Sequence, residues 1–81
     1  MRSENSDPLT LDEHRELGVE LRGTRSRLHQ LCTLVMSVYG PQNQVAFDFR
    51  KAAESMDRLC QDLQAQAAHD WPGHSTEGFY A

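Results

Sequence analysis

The stretch Ser37-Val38-Tyr39-Gly40-Pro41-Gln42-Asn43-Gln44-Val45 decides the fold. Gly40 suits the left-handed position that follows a helix, and Pro41 cannot continue a helical hydrogen-bond ladder but can open a new one. A helix that stops at residue 39 and another that starts at about residue 42 meet in the turn Gly40-Pro41-Gln42-Asn43. Helices joined by so short a loop lie antiparallel.

Backwards from the turn, Val38, Val35, Leu31, Leu28, Thr24, Leu21, Leu17 and His14 recur at alternating steps of three and four, a heptad stripe. Thr10-Leu11-Asp12-Glu13 has the form of a capping box and starts that helix. Forwards, Val45, Phe49, Ala52, Met56, Leu59, Leu63 and Gln66 carry a second stripe to about residue 68. Folded about the turn, the two stripes fall into register: Val38 opposite Val45, Val35 opposite Phe49, Leu31 opposite Ala52, Leu28 opposite Met56, Thr24 opposite Leu59 and Leu21 opposite Leu63. The pattern predicts an all-α antiparallel two-helix hairpin over residues 9–69, with helices at about 10–39 and 42–68. A flexible polar lead at 1–8 precedes it and an aromatic tail at 70–81 follows. The residues expected in its core or interface are Leu17, Leu21, Leu28, Leu31, Val35, Val38, Val45, Phe49, Met56, Leu59 and Leu63.

Beside that seam runs a second set at multiples of seven, namely Leu11, Gly18, Cys32 and Tyr39, then Ala46, Ala53, Cys60 and Ala67, interrupted by Arg25. Small side chains there widen the apolar face to that of a bundle helix and would let another helix come close. A chain of 81 residues buries a modest share of its surface unless it associates. A homodimer of hairpins forming a four-helix bundle is the expected assembly.

Composition narrows the function classes. With 38% hydrophobic residues, 25% charged residues and no apolar run near eighteen, no membrane-spanning helix is expected. Twelve acidic against eight basic residues give a net charge of −4, which disfavours a chain whose main work is neutralising phosphates. The opening MRSENSDP lacks the apolar segment of a secretory signal, so a cytoplasmic address is expected. Cys32 and Cys60 make no metal-binding framework and lie at different heights of the hairpin, too far apart for a bridge within one chain. They are expected to be reduced thiols, with a bridge between subunits left open.

Three candidate sites follow. Arg22, Arg25 and Arg27 cluster in mid-helix and give the alternative of a small nucleic-acid-binding bundle. His14, near Glu13, Glu16 and, across the hairpin, His69 or Asp70, gives a third reading, a metal-binding bundle. The chain lacks the Glu-x-x-His pairs of carboxylate di-metal bundles, so no metal or cofactor is expected and His14 is read as a semi-buried residue bonded to a carboxylate or water. The tail His69-Asp70-Trp71-Pro72-Gly73-His74-Ser75-Thr76-Glu77-Gly78-Phe79-Tyr80-Ala81 holds three of the six aromatic residues. Trp71, Phe79 and Tyr80 either fold back as a lid over the open end or form a docking segment for a protein partner. Leu34 and Phe47, off the stripes, either cover the turn or form a small apolar contact there.

Trp71-Pro72-Gly73 fits a Trp-x-Gly pattern and, on a hairpin of this size, superficially resembles the small secreted WXG helical-hairpin proteins. In that family the motif occupies the turn between the helices, where this chain has Tyr39-Gly40-Pro41-Gln42, so no family is assigned and secretion is not carried over. No nucleophile, base and oxyanion arrangement can be built on two rods, and no enzyme is expected. The sequence reads as a non-catalytic helical interaction or assembly protein.

Overall fold

The computed structural model describes residues 7–81, so residues 1–6 of the expected N-terminal lead lie outside the described residues. Two helices, α1 (Leu11–Tyr39) and α2 (Gln44–Asp70), pack against each other as an antiparallel hairpin, with no strand among the described residues.

Local sequence sets each end. The Thr10 hydroxyl accepts the Glu13 amide at 3.1 Å while the Glu13 carboxylate accepts the Thr10 amide at 2.9 Å, closing the capping box reciprocally. Gly40 ends α1 at φ 85°, with its N–H donating to the Met36 carbonyl at 2.9 Å. Pro41 and Gln42 remain in the turn, and α2 begins two residues later than the sequence predicts. The cause is Asn43, whose Oδ1 accepts from the Val45 and Ala46 amides at 2.8 and 3.3 Å and thereby caps α2 in place of Pro41. At its other end α2 runs two residues past the expected 68. Trp71 then leaves the helix, as the residue before a proline must.

The seam differs from the expected one. The most buried residues of the two helices are the small set, Gly18 and Cys32 on α1 and Ala46, Ala53, Cys60 and Ala67 on α2, with His14 at the open end. Leu17, Leu21, Met56 and Leu63 pack against this centre as half-buried flanks. The correction has a steric origin: Gly, Ala and Cys bring the two backbones close, and the bulky residues then fit only beside the contact line. Val38, Val45 and Leu59, expected inside the hairpin, are 66%, 52% and 44% exposed, and Ala52, Thr24 and Gln66 are exposed too. Tyr39, in the small-residue set, also lies outside, at 65%.

On α2 the exposed Val45, Ala52, Leu59 and Gln66 each stand one position before a member of the buried set, as Leu17 and Leu31 do on α1 before Gly18 and Cys32. One residue back on a helix is a turn of about 100°, and in an antiparallel pair that turn leads to the same side of the hairpin on both helices. The hairpin therefore has two unlike faces. One bears Leu17, Thr24, Leu31 and Val38 beside Val45, Ala52 and Leu59. The other bears Arg22, His29, Asp57 and Gln64, and on it lies the tail.

Candidate functional site

The tail is bound along that second face by contacts with both helices. The Trp71 indole N–H donates to the Leu9 carbonyl at 2.7 Å, which ties the end of α2 to the start of α1. Its ring meets the imidazole of His74 edge-on at 5.8 Å. Beyond Gly73, at φ 84°, residues 74–81 run back along the groove between the helices. The carboxamide of Gln64 holds the main chain twice: its N–H donates to the Thr76 carbonyl at 2.7 Å, and its oxygen accepts the Tyr80 amide at 3.1 Å. Thr76 itself is buried, and its carbonyl also accepts the Phe79 amide at 3.2 Å across Gly78, whose φ is 80°.

Gly18 is what lets the tail approach. A Cβ built on it would stand 2.0 Å from the carbonyl oxygen of Phe79 and 2.7 Å from the carbonyl carbon, so no side chain fits. Glycine inside a helix costs about 0.5–1 kcal/mol relative to alanine, and here that cost is offset by main-chain contact with the tail. Gly23, five residues on, has nothing within 4 Å of such a Cβ.

At the end of the groove Tyr80 is 1% exposed and sits on Cys60 and Ala67. Its hydroxyl lies 2.7 Å from Nδ1 of His14, a residue with no exposed surface, and Nε2 of His14 lies 2.9 Å from Oδ2 of Asp70. The acceptor-only carboxylate takes Nε2–H of His14, and in the Nε2–H tautomer the phenol O–H donates to Nδ1. Gln66 donates to the other oxygen of Asp70 at 2.7 Å. The hydrogen bond from His14 holds the Asp70 carboxyl below the usual carboxylate range against the opposing effect of burial, with Gln66 and His69 adding to it. Burial raises the Tyr80 phenol above its ordinary value, and the Asp70 charge and Cys60 raise it further. A phenol shielded from solvent and held protonated is a poor nucleophile. The three side chains form a clasp, chemically quiet and fully hydrogen-bonded.

No family model matches the chain, and no curated protein or solved structure does so either.

The sequence-predicted site residues separate in space. Tyr80 is buried, Phe79 and Trp71 are half-buried, and the Arg15 guanidinium lies 5.4 Å from the centre of the Phe79 ring. The arginine cluster does not form one patch. Arg22 and Arg25 reach tail carbonyls, of Gly78 and Tyr80, each at 3.5 Å, whereas Arg27 turns to Gln30 on the far side. Arg25, which interrupts the small-residue set, also stands 3.9 Å from Asp57, and Asp57 takes a hydrogen bond from His29 at 3.0 Å. Around His14 both ring nitrogens are engaged, the His69 side chain is 84% exposed, and the described residues hold no group of three His, Cys, Asp or Glu that could bind a metal ion. Cys32 and Cys60 are buried free thiols, with the Cys32 sulfur donating to the Met36 sulfur at 3.8 Å. Near the turn, Leu34 stays exposed, and Arg50 and Lys51 lie 5.6 and 5.5 Å from the Phe47 ring. Among the described residues no helix is long and apolar enough to cross a membrane.

Two residues that hold the tail, Gly18 and Gln64, escape a reading by periodicity. Gly18 looks like one more small residue in a stripe, and Gln64 like a solvated helix position. The signal available in the sequence was the glycine itself, the only one in the buried set, at the height where a returning tail would pass.

Proposed function

We propose that the chain is a non-catalytic interaction module that pairs through its bare apolar face with a second copy of itself, giving a four-helix bundle. One observation carries this reading. The tail covers one face of the hairpin, and the opposite face carries an apolar band on both helices, from the half-buried Leu17 to the exposed Val38 on α1 and from the exposed Val45 through Leu59 to the half-buried Leu63 on α2.

The dimensions favour a second hairpin over a single docked helix. From Leu17 to Val38 the band is about 30 Å long at roughly 1.5 Å per residue. Two packed helices are about 20 Å wide, since interaxial distances are roughly 8–10 Å. A footprint of about 600 Å² results, on the order of the roughly 800 Å² of accessible surface that each partner buries in a stable complex. One added helix would leave an apolar row wet on each side. Another two-helix layer matches the width, and the same chain supplies one.

The band is also ready for burial. Its central polar side chain, Thr24, already donates its hydroxyl to the Glu20 carbonyl at 2.9 Å, so covering it strands no donor. The charged residues on the other face are turned to the tail and to each other, with Arg22 and Arg25 near tail carbonyls, which weighs against the nucleic-acid alternative. The buried state of Tyr80 and His14 supports a reading without catalysis.

Absolute mass by light scattering tests the proposal. Twice the 9.2 kDa of one chain is expected for the native protein, and 9.2 kDa for Leu31→Glu combined with Leu59→Glu, at unchanged helix content. A native chain that stays monomeric, or a double variant that stays dimeric, overturns it.

A further inference from the structure

We propose that the groove under the tail is a peptide-recognition site, occupied in cis by residues 76–80, that takes a Thr-x-Gly-aromatic-Tyr segment folded in the same turn from another polypeptide when its own tail is displaced. This goes beyond the dimer reading: the groove is on the opposite face and its use does not depend on that assembly.

The groove has the parts of a built site. A carboxamide from α2 reads the peptide main chain at two points four residues apart, through the Thr76 carbonyl and the Tyr80 amide. A missing side chain on α1 admits the backbone at Phe79 to within a distance that any other residue at position 18 would block. A guanidinium lies against the aromatic side chain that precedes the tyrosine. At the end of the groove a buried histidine, held at Nε2 by Asp70, lies with Nδ1 2.7 Å from the tyrosine hydroxyl and in the Nε2–H tautomer accepts its proton. Main-chain contacts supply affinity that many peptides could share, and a buried acceptor that only a phenol satisfies supplies choice. Phenylalanine in the same place would leave Nδ1 of His14 without a donor in a site closed to water.

The occupant is separable from the fold that holds it. Residues 74–81 contain no helix, follow a glycine at φ 84°, and touch the hairpin through individual hydrogen bonds, the buried ring of Tyr80 and the half-buried ring of Phe79. Such a segment opens more readily than the helices beneath it. While attached it competes at the effective concentration of a short tether, on the order of millimolar, so a free peptide gains access only where the resident tail is weakened.

The probe is a fluorescent synthetic peptide with the sequence of residues 74–81, titrated onto the full-length chain and followed by anisotropy. The full-length Tyr80→Ala protein is expected to bind it at least tenfold more tightly than the native chain does, because its own tail no longer competes. A peptide carrying phenylalanine for tyrosine is expected to bind that protein about tenfold more weakly. Absence of binding to a Tyr80→Ala protein of native helix content overturns the site, and equal affinity for the two peptides overturns the reading of the hydroxyl by His14. Should Tyr80→Ala fail to fold, amide hydrogen exchange on the native chain decides. Exchange of the Phe79 and Tyr80 amides through an opening that leaves α1 and α2 protected upholds a separable occupant, and exchange of all of them together in global unfolding overturns it.

Discussion

The hydroxyl of Tyr80 and Nδ1 of His14 lie 2.7 Å apart although 66 residues separate them in the chain, and neither side chain is open to solvent. The bond joins the tail to the first turns of α1, and Asp70 at the end of α2 completes it through Nε2. All three parts of the molecule meet at this one ring.

Removing the phenol oxygen should therefore cost more than a surface hydrogen bond would. Tyr80→Phe leaves a buried acceptor on His14 unpaired, and a loss of about 1–3 kcal/mol is expected in urea unfolding. His14→Phe alone should also destabilise, by leaving Oδ2 of Asp70 and the Tyr80 hydroxyl without their partner. In the double variant the two losses should fall short of additivity by about 1 kcal/mol, and strict additivity would mean that the two residues do not act as a pair.

Gly18 and Gly23 offer a matched comparison within one helix. Gly23→Ala has open space around its new methyl group and should stabilise the monomer by about 0.5–1 kcal/mol through helix propensity and chain entropy. Gly18→Ala gains the same propensity and yet should destabilise, because its methyl group collides with the main chain of Phe79. Thermal melts of the two variants should shift in opposite directions, and a shared sign would remove the steric account of position 18.

Acid stability should carry the mark of Asp70. Its carboxyl is lowered in the folded protein, so its contribution is complete above the ordinary carboxylate value of 3.8 and is lost as pH falls through the lowered folded value. Asp70→Asn should flatten the stability profile below that point and lower the plateau above it. Tyr80 behaves in the opposite sense. Its phenol is raised above 10.0, so its contribution is complete below that value and is lost as pH climbs through the raised one. Chemical denaturation at a series of pH values, native against Asp70→Asn and Tyr80→Phe, would show whether the two limbs belong to these groups.

Trp71 is the only tryptophan, and its indole N–H is bonded to the Leu9 carbonyl. Trp71→Phe should cost about 1 kcal/mol by breaking that tie. In the native chain the same residue reports on the tail. Its emission should shift to longer wavelength in Tyr80→Ala if docking of residues 76–80 keeps the open end closed, and an unshifted spectrum would show the Trp71 contact to be independent of it.

The hairpin was legible in the sequence because its determinants are local. Thr10 and Glu13 form the box that their spacing predicts, and Gly40 takes the positive φ that its place after a helix predicts. Asn43 was harder to see. Pro41 offered a plausible first helical residue, and the side-chain oxygen that in fact caps α2 lies two positions later. The seam was misplaced for a different reason. Heptad reasoning sets the largest apolar residues at the contact line, and in a pair of helices that buries Cys32, Ala46, Ala53, Cys60 and Ala67 the largest residues are displaced to the flank. Leu59 and Val45 carry the period of a seam while pointing to one side of it. Periodicity fixes the spacing of a stripe but not which of two adjacent stripes meets the neighbouring helix. His14 beside a carboxylate was within reach of the sequence, since Asp70 is where an antiparallel hairpin must bring it. Its second partner, Tyr80, depends on a tail whose path no periodicity encodes.

The clasp also bears on the order of folding. The turn joins the end of α1 to the start of α2 across only residues 40–43, whereas Tyr80 must find His14 across most of the chain, so loop closure favours the turn end first and the clasp last. Helix formation should therefore precede the burial of Tyr80, with α1 and α2 already paired when the tail arrives. A newly made chain would pass through a stage with the hairpin complete and the groove vacant, in which Cys60 lacks its cover and is briefly open to reagents that the finished protein excludes.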